Sequence, residues 1–201
     1  MHPNEQTKAW MGEFGTAYTE RNQVEWSARE PAFRSVFKGL GISSALEVGC
    51  NKGHNLMALR HVLPGLKVHG LEVNPYALCT ARKHVEQGVF VEGSADSLPF
   101  PDSSMDLCLT VGVLIHIPSQ SLQRCLEEIC RVSRRYVFCA EYFAEQDTEV
   151  TYRGHSNLLW KRNFLDHYLT VCPNLTLIRQ DYWGPEQGFD NVTCWLMEKR
   201  A

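Results

Sequence analysis

An α/β fold is predicted for this chain: a three-layer sandwich whose seven-stranded sheet is mostly parallel and ends in an antiparallel hairpin. Two observations lead to this prediction. From residue 44 onward, short apolar runs alternate with segments of helical spacing, which is the pattern of parallel strands joined by helices. The last two apolar runs are separated only by the polar stretch GPEQGFDN. A connection this short favours an antiparallel pair.

The strands are predicted by short apolar runs that end in turn-forming residues. The first run, SALEV, leads into a glycine-containing turn, and the fourth reads MDLCLTV. The fifth, YVFCAE, ends in an acidic residue. The predicted strands cover residues 44–48, 68–73, 88–92, 105–111, 136–141, 175–182 and 192–198.

The helices are predicted by apolar spacing and by start and stop signals. Asn74 and Pro75 form a favourable N-cap and first helical residue, and Gly88 stands just beyond the expected end of that helix. Ser121 is expected to cap a later helix, because apolar residues recur on one helical face from 122 to 130. Helices are predicted over 54–63, 75–87, the segment after Ser121, and about 157–169, with most of the first forty residues helical as well.

One domain, residues 1–201, is expected. A chain of 201 residues suffices for one domain with a sizeable core, and it contains no repeat or linker. Residues 1–40 are interpreted as a helical cover and residues 41–201 as the core. A lid over the substrate is expected at about 142–162.

The composition argues against several kinds of partner. The chain is 44% hydrophobic and 21% charged with a net charge of −3, so no basic footprint for nucleic acid is present. No apolar run approaches the ~18 residues of a membrane span, and no signal-peptide pattern opens the chain. A cytoplasmic protein without a metal site is therefore expected, in an oligomeric state that the sequence leaves open. Buried free thiols are expected for Cys50, Cys79, Cys108, Cys139 and Cys194.

An acidic residue and spaced glycines follow the first strand. Residues 47–53 read EVGCNKG, with glycines where the chain must turn sharply beneath a ligand. Asn51 stands between them, and asparagine tolerates positive φ better than most residues. Glu72 ends the second strand, where a carboxylate can accept hydrogen bonds from both ribose hydroxyls. A nucleoside cofactor is therefore expected to bind Glu47, Gly49, Asn51, Gly53 and Glu72.

Beyond this turn, the chain resembles class I methyltransferases. His54 breaks the GxGxxG spacing that is typical of NAD-binding domains. The stretch GSADSLPF at 93–100 resembles the methyltransferase segment between strands three and four, and the terminal hairpin also fits. The resemblance implies a Rossmann-like fold with S-adenosylmethionine as cofactor. It adds Ser94, Ala95, Asp96 and Val111 to the cofactor-binding residues.

The N-terminal segment carries a narrower resemblance. WMGEFGTAYTERN at 10–22 is similar to the opening of methylases associated with pseudaminic acid biosynthesis, and VGVLIHI at 111–117 and the 152–164 region extend the match. This resemblance implies a small-molecule methyltransferase of a surface-sugar pathway. Its acceptor would be a nonulosonic sugar or a pathway intermediate, methylated on oxygen or nitrogen.

Roles for individual side chains follow from their chemistry and position. Arg21, with Tyr18, is expected to hold the cofactor's carboxylate, because a guanidinium fork matches a carboxylate; a surface salt bridge is the alternative for Arg21. His116 follows the fourth strand at the ligand-binding edge of the sheet. It is the candidate general base, although it could equally serve only to organise the turn before Pro118.

The acceptor is expected between the N-terminal cover and the lid, because only these segments add to the cofactor core. Three other functions stay open: methylation of another small natural product, nucleotide-dependent oxidoreduction, and a methyltransferase fold that only binds. The aromatic and charged residues expected to bind a small-molecule acceptor are Trp10, Glu13, Phe14, Glu141, Tyr142, Tyr152, Arg153 and His155.

Overall fold

The computed structural model describes residues 5–200; residues 1–4 and 201, which the predicted domain includes, lie outside the described part. Nine strands are described there: β1 Ser44–Val48, β2 Lys67–Glu72, β3 Val89–Glu92, β4 Met105–Val111, β5 Ser133–Glu141, β6 Thr148–Glu149, β7 Trp160–Lys161, β8 Leu175–Trp183 and β9 Val192–Lys199. The α-helices of the same residues are α1 Glu5–Met11, α2 Glu13–Arg21, α3 Glu30–Phe37, α4 His54–Val62, α5 Pro75–His84, α6 Ser119–Val132 and α7 Phe164–Val171.

The main sheet has seven strands in the order β3-β2-β1-β4-β5-β9-β8. The strands from β3 through β5 pair in parallel, whereas β9 runs antiparallel to both β5 and β8. The predicted fold class is therefore confirmed, including the closing hairpin. This order places the carboxyl ends of β1, β2 and β4 side by side at one edge, where open α/β sheets bind their ligands.

Helices cover both faces of the sheet and bury two apolar layers. Residues of α3, α4 and α5 pack with one face, and residues of α6 and α7 pack with the other. The central strand β4 is buried at six of its seven positions, as expected for a parallel strand covered on both faces. The longest helix in residues 5–200 has 14 residues. No helix of the described part is long and apolar enough to cross a bilayer.

Two helix predictions are wrong at their starts. The helix expected from 157 begins only at Phe164, because the preceding residues form strand β7, which pairs with β6. Asn163 caps this helix by accepting a hydrogen bond from the Asp166 backbone N–H. Ser121 is not a cap, because α6 already begins at Ser119, directly after Pro118. The small β6–β7 sheet within the lid segment was not predicted.

The prediction of buried free thiols needs one correction, for Cys79, and the structure adds a disulfide between two cysteines that the prediction did not name. Cys130 of α6 and Cys172, which follows α7, form a disulfide that joins these two helices. Cys79 is free as predicted but exposed, because it lies on the outer face of α5. The remaining predicted free thiols are buried: Cys50, Cys108, Cys139 and Cys194.

Candidate functional site

A cavity of about 230 Å³ opens at the carboxyl ends of β1, β2 and β4. Its floor is formed by the turn after β1 and by the segments that follow β2 and β4. The cover helices α1 and α2 and the lid segment supply the opposite wall. The cavity therefore lies at the edge of the sheet where the sequence pattern predicts ligand binding.

The turn after β1 adopts the conformation that its residues suggest. Gly49, Asn51 and Gly53 all have positive φ, at 74°, 45° and 79°. At Gly49 a side chain is excluded by packing as well, because a Cβ atom would lie 2.6 Å from a methyl group of Val113. The Gly49 N–H donates to the carbonyl of Leu71 at 2.7 Å. The backbone of β1 is thus held against the end of β2.

Glu72, at the end of β2, is almost fully buried, and both of its oxygens are engaged. Oε2 accepts the Asn51 N–H at 2.8 Å, and Oε1 accepts the Asn74 N–H at 2.9 Å. Burial raises the pKa of this carboxyl, while the backbone donors oppose the rise. A carboxylate offers about four acceptor positions, so acceptor capacity remains for a ligand in the cavity that Glu72 lines.

Glu47, at the carboxyl end of β1, is buried and only half satisfied. Its Oε1 accepts from the Asn55 side-chain amide at 2.6 Å, whereas Oε2 has no partner among residues 5–200. Burial raises the pKa of Glu47 to about 8, against the opposing effects of Asn55 and the nearby Arg29. A cation that enters the cavity would therefore lower the pKa of Glu47 and favour its ionised form.

Arg29 reaches the same cavity from the 3-10 turn Trp26–Arg29. Its Nη1 donates to Asn55 Oδ1 at 2.6 Å, and its Nε donates to the Gly188 carbonyl at 3.0 Å. Nη2 makes no hydrogen bond within the described chain. The wall of the cavity thus presents a cationic fork close to the acid Glu47.

Two asparagines dock the cover helices onto the core. The Asn74 side-chain amide donates to the Trp10 carbonyl at 2.9 Å, while its Oδ1 caps α5 as predicted. The Asn51 amide donates to Thr19 Oγ1 in α2 at 3.1 Å. The cover is therefore bonded to the same turns that line the cavity.

Aromatic rings from the cover, the core and the lid meet on one side of the cavity. The Trp10 ring lies 4.5 Å from the imidazole of His116, and that imidazole lies 5.4 Å from the ring of Tyr152. We call Trp10, His116 and Tyr152 the aromatic wall. Trp10 Nε1 and Gln6 Nε2, both in residues that line the cavity, have no hydrogen-bond partner in residues 5–200.

The protonation state of His116 follows from its contacts. Nδ1 lies 2.6 Å from the carbonyl oxygen of Leu158, and a carbonyl only accepts, so Nδ1 carries the proton. Nε2 then holds a lone pair, and the described chain gives it no hydrogen-bond donor. Burial lowers the pKa of His116 to about 4, which keeps the ring neutral near pH 7.

The structure brings together most of the predicted residues. Those that line the cavity are Trp10, Tyr18, Glu47, Gly49, Asn51, Glu72, Ser94, Ala95, Val111, His116, Tyr142 and Tyr152. Those that do not line it are Glu13, Phe14, Arg21, Gly53, Asp96, Glu141, Arg153 and His155.

For three residues of the second group, the structure shows what their side chains contact. Arg21 is exposed, lies over the rings of Phe14 and Tyr18, and is not among the residues that line the cavity. Arg153 is likewise exposed and lies over Tyr152. Glu141 is fully buried and accepts backbone N–H groups of 113–115 instead of reaching the cavity. The cavity walls therefore do not include these three residues, in contrast to the positions expected from the sequence.

Sequence reasoning missed Arg29 and Asn55. Asn55 lies eight residues after Glu47, and an amide at that position carries no motif of its own. Arg29 lies in the polar stretch WSARE, where nothing in the spacing sets it apart from the other arginines. It reaches the cavity only because the cover folds back over the end of β1.

Comparison with known proteins supports a methyltransferase. Residues 46–139 match the model of a methyltransferase domain family. An uncharacterised methyltransferase of Mycolicibacterium gilvum is 36% identical over 93 residues, 45% of this chain and 35% of that protein. Phthiotriol/phenolphthiotriol dimycocerosates methyltransferase of Mycobacterium tuberculosis is 35% identical over 97 residues, 47% of this chain and 35% of that protein. The match therefore spans about a third of the length of these relatives.

Solved structures with the same fold cover the whole chain. The 1,6-didemethyltoxoflavin-N1-methyltransferase of Burkholderia thailandensis, with bound S-adenosylhomocysteine, has a TM-score of 0.76 at 17% identity, covering 100% of this chain and 92% of that one. Magnesium protoporphyrin IX methyltransferase of Synechocystis, with bound S-adenosylmethionine, has a TM-score of 0.71 at 12% identity, covering 100% of both chains. The fold is that of Rossmann-like class I methyltransferases, as expected from the sequence.

Proposed function

We propose that this protein transfers a methyl group from S-adenosylmethionine to a small polar acceptor. The observation that carries the proposal is the pairing of Glu47 and Arg29 at one cavity. The Glu47 oxygen that has no partner in residues 5–200 suits an ammonium group, and the guanidinium of Arg29 suits a carboxylate. An amino acid carries both groups, and S-adenosylmethionine ends in an amino acid whereas NAD does not. This favours a methyltransferase over the oxidoreductase alternative.

The remaining contacts fit the nucleoside half. Glu72 has acceptor capacity for ribose hydroxyls, and the 49–53 turn lets a ligand approach the backbone closely. Ser94 and Ala95 line the cavity where an adenine ring would lie. Tyr18 is held protonated, since burial raises its pKa to about 12, so its hydroxyl can donate to the carboxylate beside Arg29.

When bound, S-adenosylmethionine supplies an electrophilic methyl group on a sulfonium. The protein's part is to align the acceptor with that group and to exclude water. In our proposal, His116 Nε2 accepts the hydrogen bond of the acceptor's hydroxyl or amine and takes its proton as the new bond forms. The low pKa keeps this nitrogen unprotonated at neutral pH, although it also limits its strength as a base.

The acceptor would lie against the aromatic wall, between cover and lid. Trp10, Tyr142 and Tyr152 offer ring faces there, and the Trp10 Nε1 donor has no partner within the described part of the chain. This mixture suits a sugar-like molecule with apolar faces and polar edges. Together with the N-terminal resemblance, it supports a nonulosonic sugar or one of its precursors as the acceptor class.

Calorimetric titration of the purified protein tests the cofactor first. S-adenosylmethionine and S-adenosylhomocysteine should bind, and NAD should not. Transfer of labelled methyl to candidate acceptors then tests the activity, with acidic sugars compared against apolar alcohols. Binding of NAD in preference to the sulfonium ligand would refute the proposal. Binding without transfer to any acceptor would instead identify a methyltransferase fold that only binds.

A further inference from the structure

We propose that Glu141 and Arg162 are positioning residues for the reaction, because together they clamp the turn that carries His116. The turn is residues 113–119, which includes the 3-10 helix Leu114–His116. This inference rests on the proposed function of His116. Both clamp residues are completely buried, and neither lines the cavity.

Glu141 holds the turn from the side of the sheet. It is the last residue of β5, and its Oε1 accepts the N–H groups of Val113 and Leu114, each at 3.2 Å. Its Oε2 accepts the N–H of Ile115 at 3.3 Å. One carboxyl group therefore satisfies three successive backbone donors at the start of the 3-10 helix, directly before His116.

Arg162 holds the carbonyl side of the same turn. Its Nη1 donates to the carbonyls of Ile117 at 2.9 Å and Leu114 at 3.4 Å, and its Nη2 donates to Ser119 Oγ at 3.2 Å. A fixed guanidinium fork is well suited to span several acceptors at once. Glu141 therefore accepts hydrogen bonds from the N–H groups of the turn, and Arg162 donates hydrogen bonds to its carbonyl groups.

The two clamp residues are also connected through the backbone. The Arg162 N–H donates to the Tyr142 carbonyl at 3.2 Å, so the residue after Glu141 is bonded directly to Arg162. Arg162 Nε donates to Asp147 of the lid at 3.1 Å, and His167 contacts the same carboxylate at 3.0 Å. The orientation of His116 is therefore tied to the lid segment as well as to the sheet.

The clamp gives a role to two buried charged groups that do not pair with each other. Desolvating a carboxylate and a guanidinium is costly, so such a pair is weak evidence for stability alone. Here, each partner meets backbone groups of one turn instead of forming a direct salt bridge with the other. This arrangement fixes the turn, so that the His116 ring meets the Leu158 carbonyl through Nδ1 and keeps Nε2 for the acceptor.

The test uses Glu141→Gln and Arg162→Lys, which preserve size or charge but cannot satisfy all the groups of the turn. In each variant the rate constant for methyl transfer should fall by up to about 100-fold, the scale for a misplaced catalytic group. The affinity for S-adenosylmethionine should fall much less than this rate constant, because neither clamp residue contacts the 47–53 turn or Glu72. The matched control is the exposed pair Arg135 and Glu198 at the other end of β5, changed to Lys and Gln.

A spectroscopic readout separates positioning from general damage. Heteronuclear NMR of the His116 imidazole, assigned with His116→Ala, should show the Nδ1–H tautomer in the wild-type protein. In the clamp variants, the tautomer ratio should become mixed and the pKa should rise from about 4 toward the ordinary value of 6.5. This readout needs no methyl transfer, so it tests the clamp even if the proposed function fails.

An unchanged imidazole spectrum in both clamp variants would overturn the proposal, as would a rate loss equal to that of the control pair. If either clamp variant does not fold, Asp147→Asn serves in its place, because this residue is half-exposed and touches Arg162 only at Nε. A smaller change in the His116 spectrum in the same direction is expected there. If the His116 spectrum of Asp147→Asn is unchanged, the proposed link between the clamp and Asp147 of the lid is wrong.

Discussion

Replacing Arg29 with Met should abolish recognition of the amino-acid end of the cofactor while sparing the nucleoside end. Two of the five N–H groups of Arg29 are committed, to Gly188 and Asn55, which leaves three for a carboxylate. A hydrogen bond to a charged group contributes about 1.5–3 kcal/mol. We therefore expect the Kd for S-adenosylhomocysteine to rise roughly 10- to 150-fold.

The assay compares two ligands in the same variant. S-adenosylhomocysteine carries the amino-acid end, whereas 5′-methylthioadenosine lacks it, so damage to the fold affects both and cancels in the ratio of their Kd values. Arg29→Lys should give a smaller loss, because an ammonium cannot reproduce the planar fork. Arg21→Met is the matched control and should change neither affinity. Equal weakening of both ligands by Arg29→Met, or selective weakening by Arg21→Met, would refute the assignment and restore the sequence-based one.

Two further predictions concern the floor of the cavity. Glu47 ionises near 4.5 in the unfolded chain and near 8 in the fold, so this carboxyl binds more protons in the native state between these values, and its contribution to the free energy of unfolding should fall as pH rises from 4.5 to about 8. Urea titrations of the wild-type protein and Glu47→Gln at several pH values isolate this contribution, because Glu72, Glu141 and His116, whose pKa values burial also shifts, titrate in both proteins. The difference in the free energy of unfolding between the two proteins should change in the direction given by Glu47 as pH rises; identical pH slopes would contradict this account. Gly49→Ala should lose about 1–3 kcal/mol more than Gly65→Ala, since both have positive φ but only the Gly49 Cβ would strike Val113. Equal losses in urea titrations of the two variants would show that packing against Val113 is not limiting.

Local patterns in the sequence determined the fold and the floor of the site. Three features depend only on residues that are close together in the chain: the alternation of strands with helices, the short final connection and the Asn74-Pro75 cap. The structure that each of them favours can therefore be predicted from the sequence. The same holds for the 47–53 turn, since positive φ at Asn51 is a property of the residue type. Glu72 was predictable because the end of a parallel strand always faces the ligand edge.

The tertiary structure alone decided which distant side chains meet. Arg29 replaces Arg21 at the cavity because the cover folds so that a 3-10 turn, and not the end of α2, reaches β1. Glu141 was expected to touch the acceptor, yet three backbone N–H groups from another segment capture it. Spacing along the chain carries no information on such encounters, because they depend on how separately folded segments pack. For the same reason, neither the Cys130–Cys172 disulfide nor the hold of Arg162 on the His116 turn could be foreseen from the sequence.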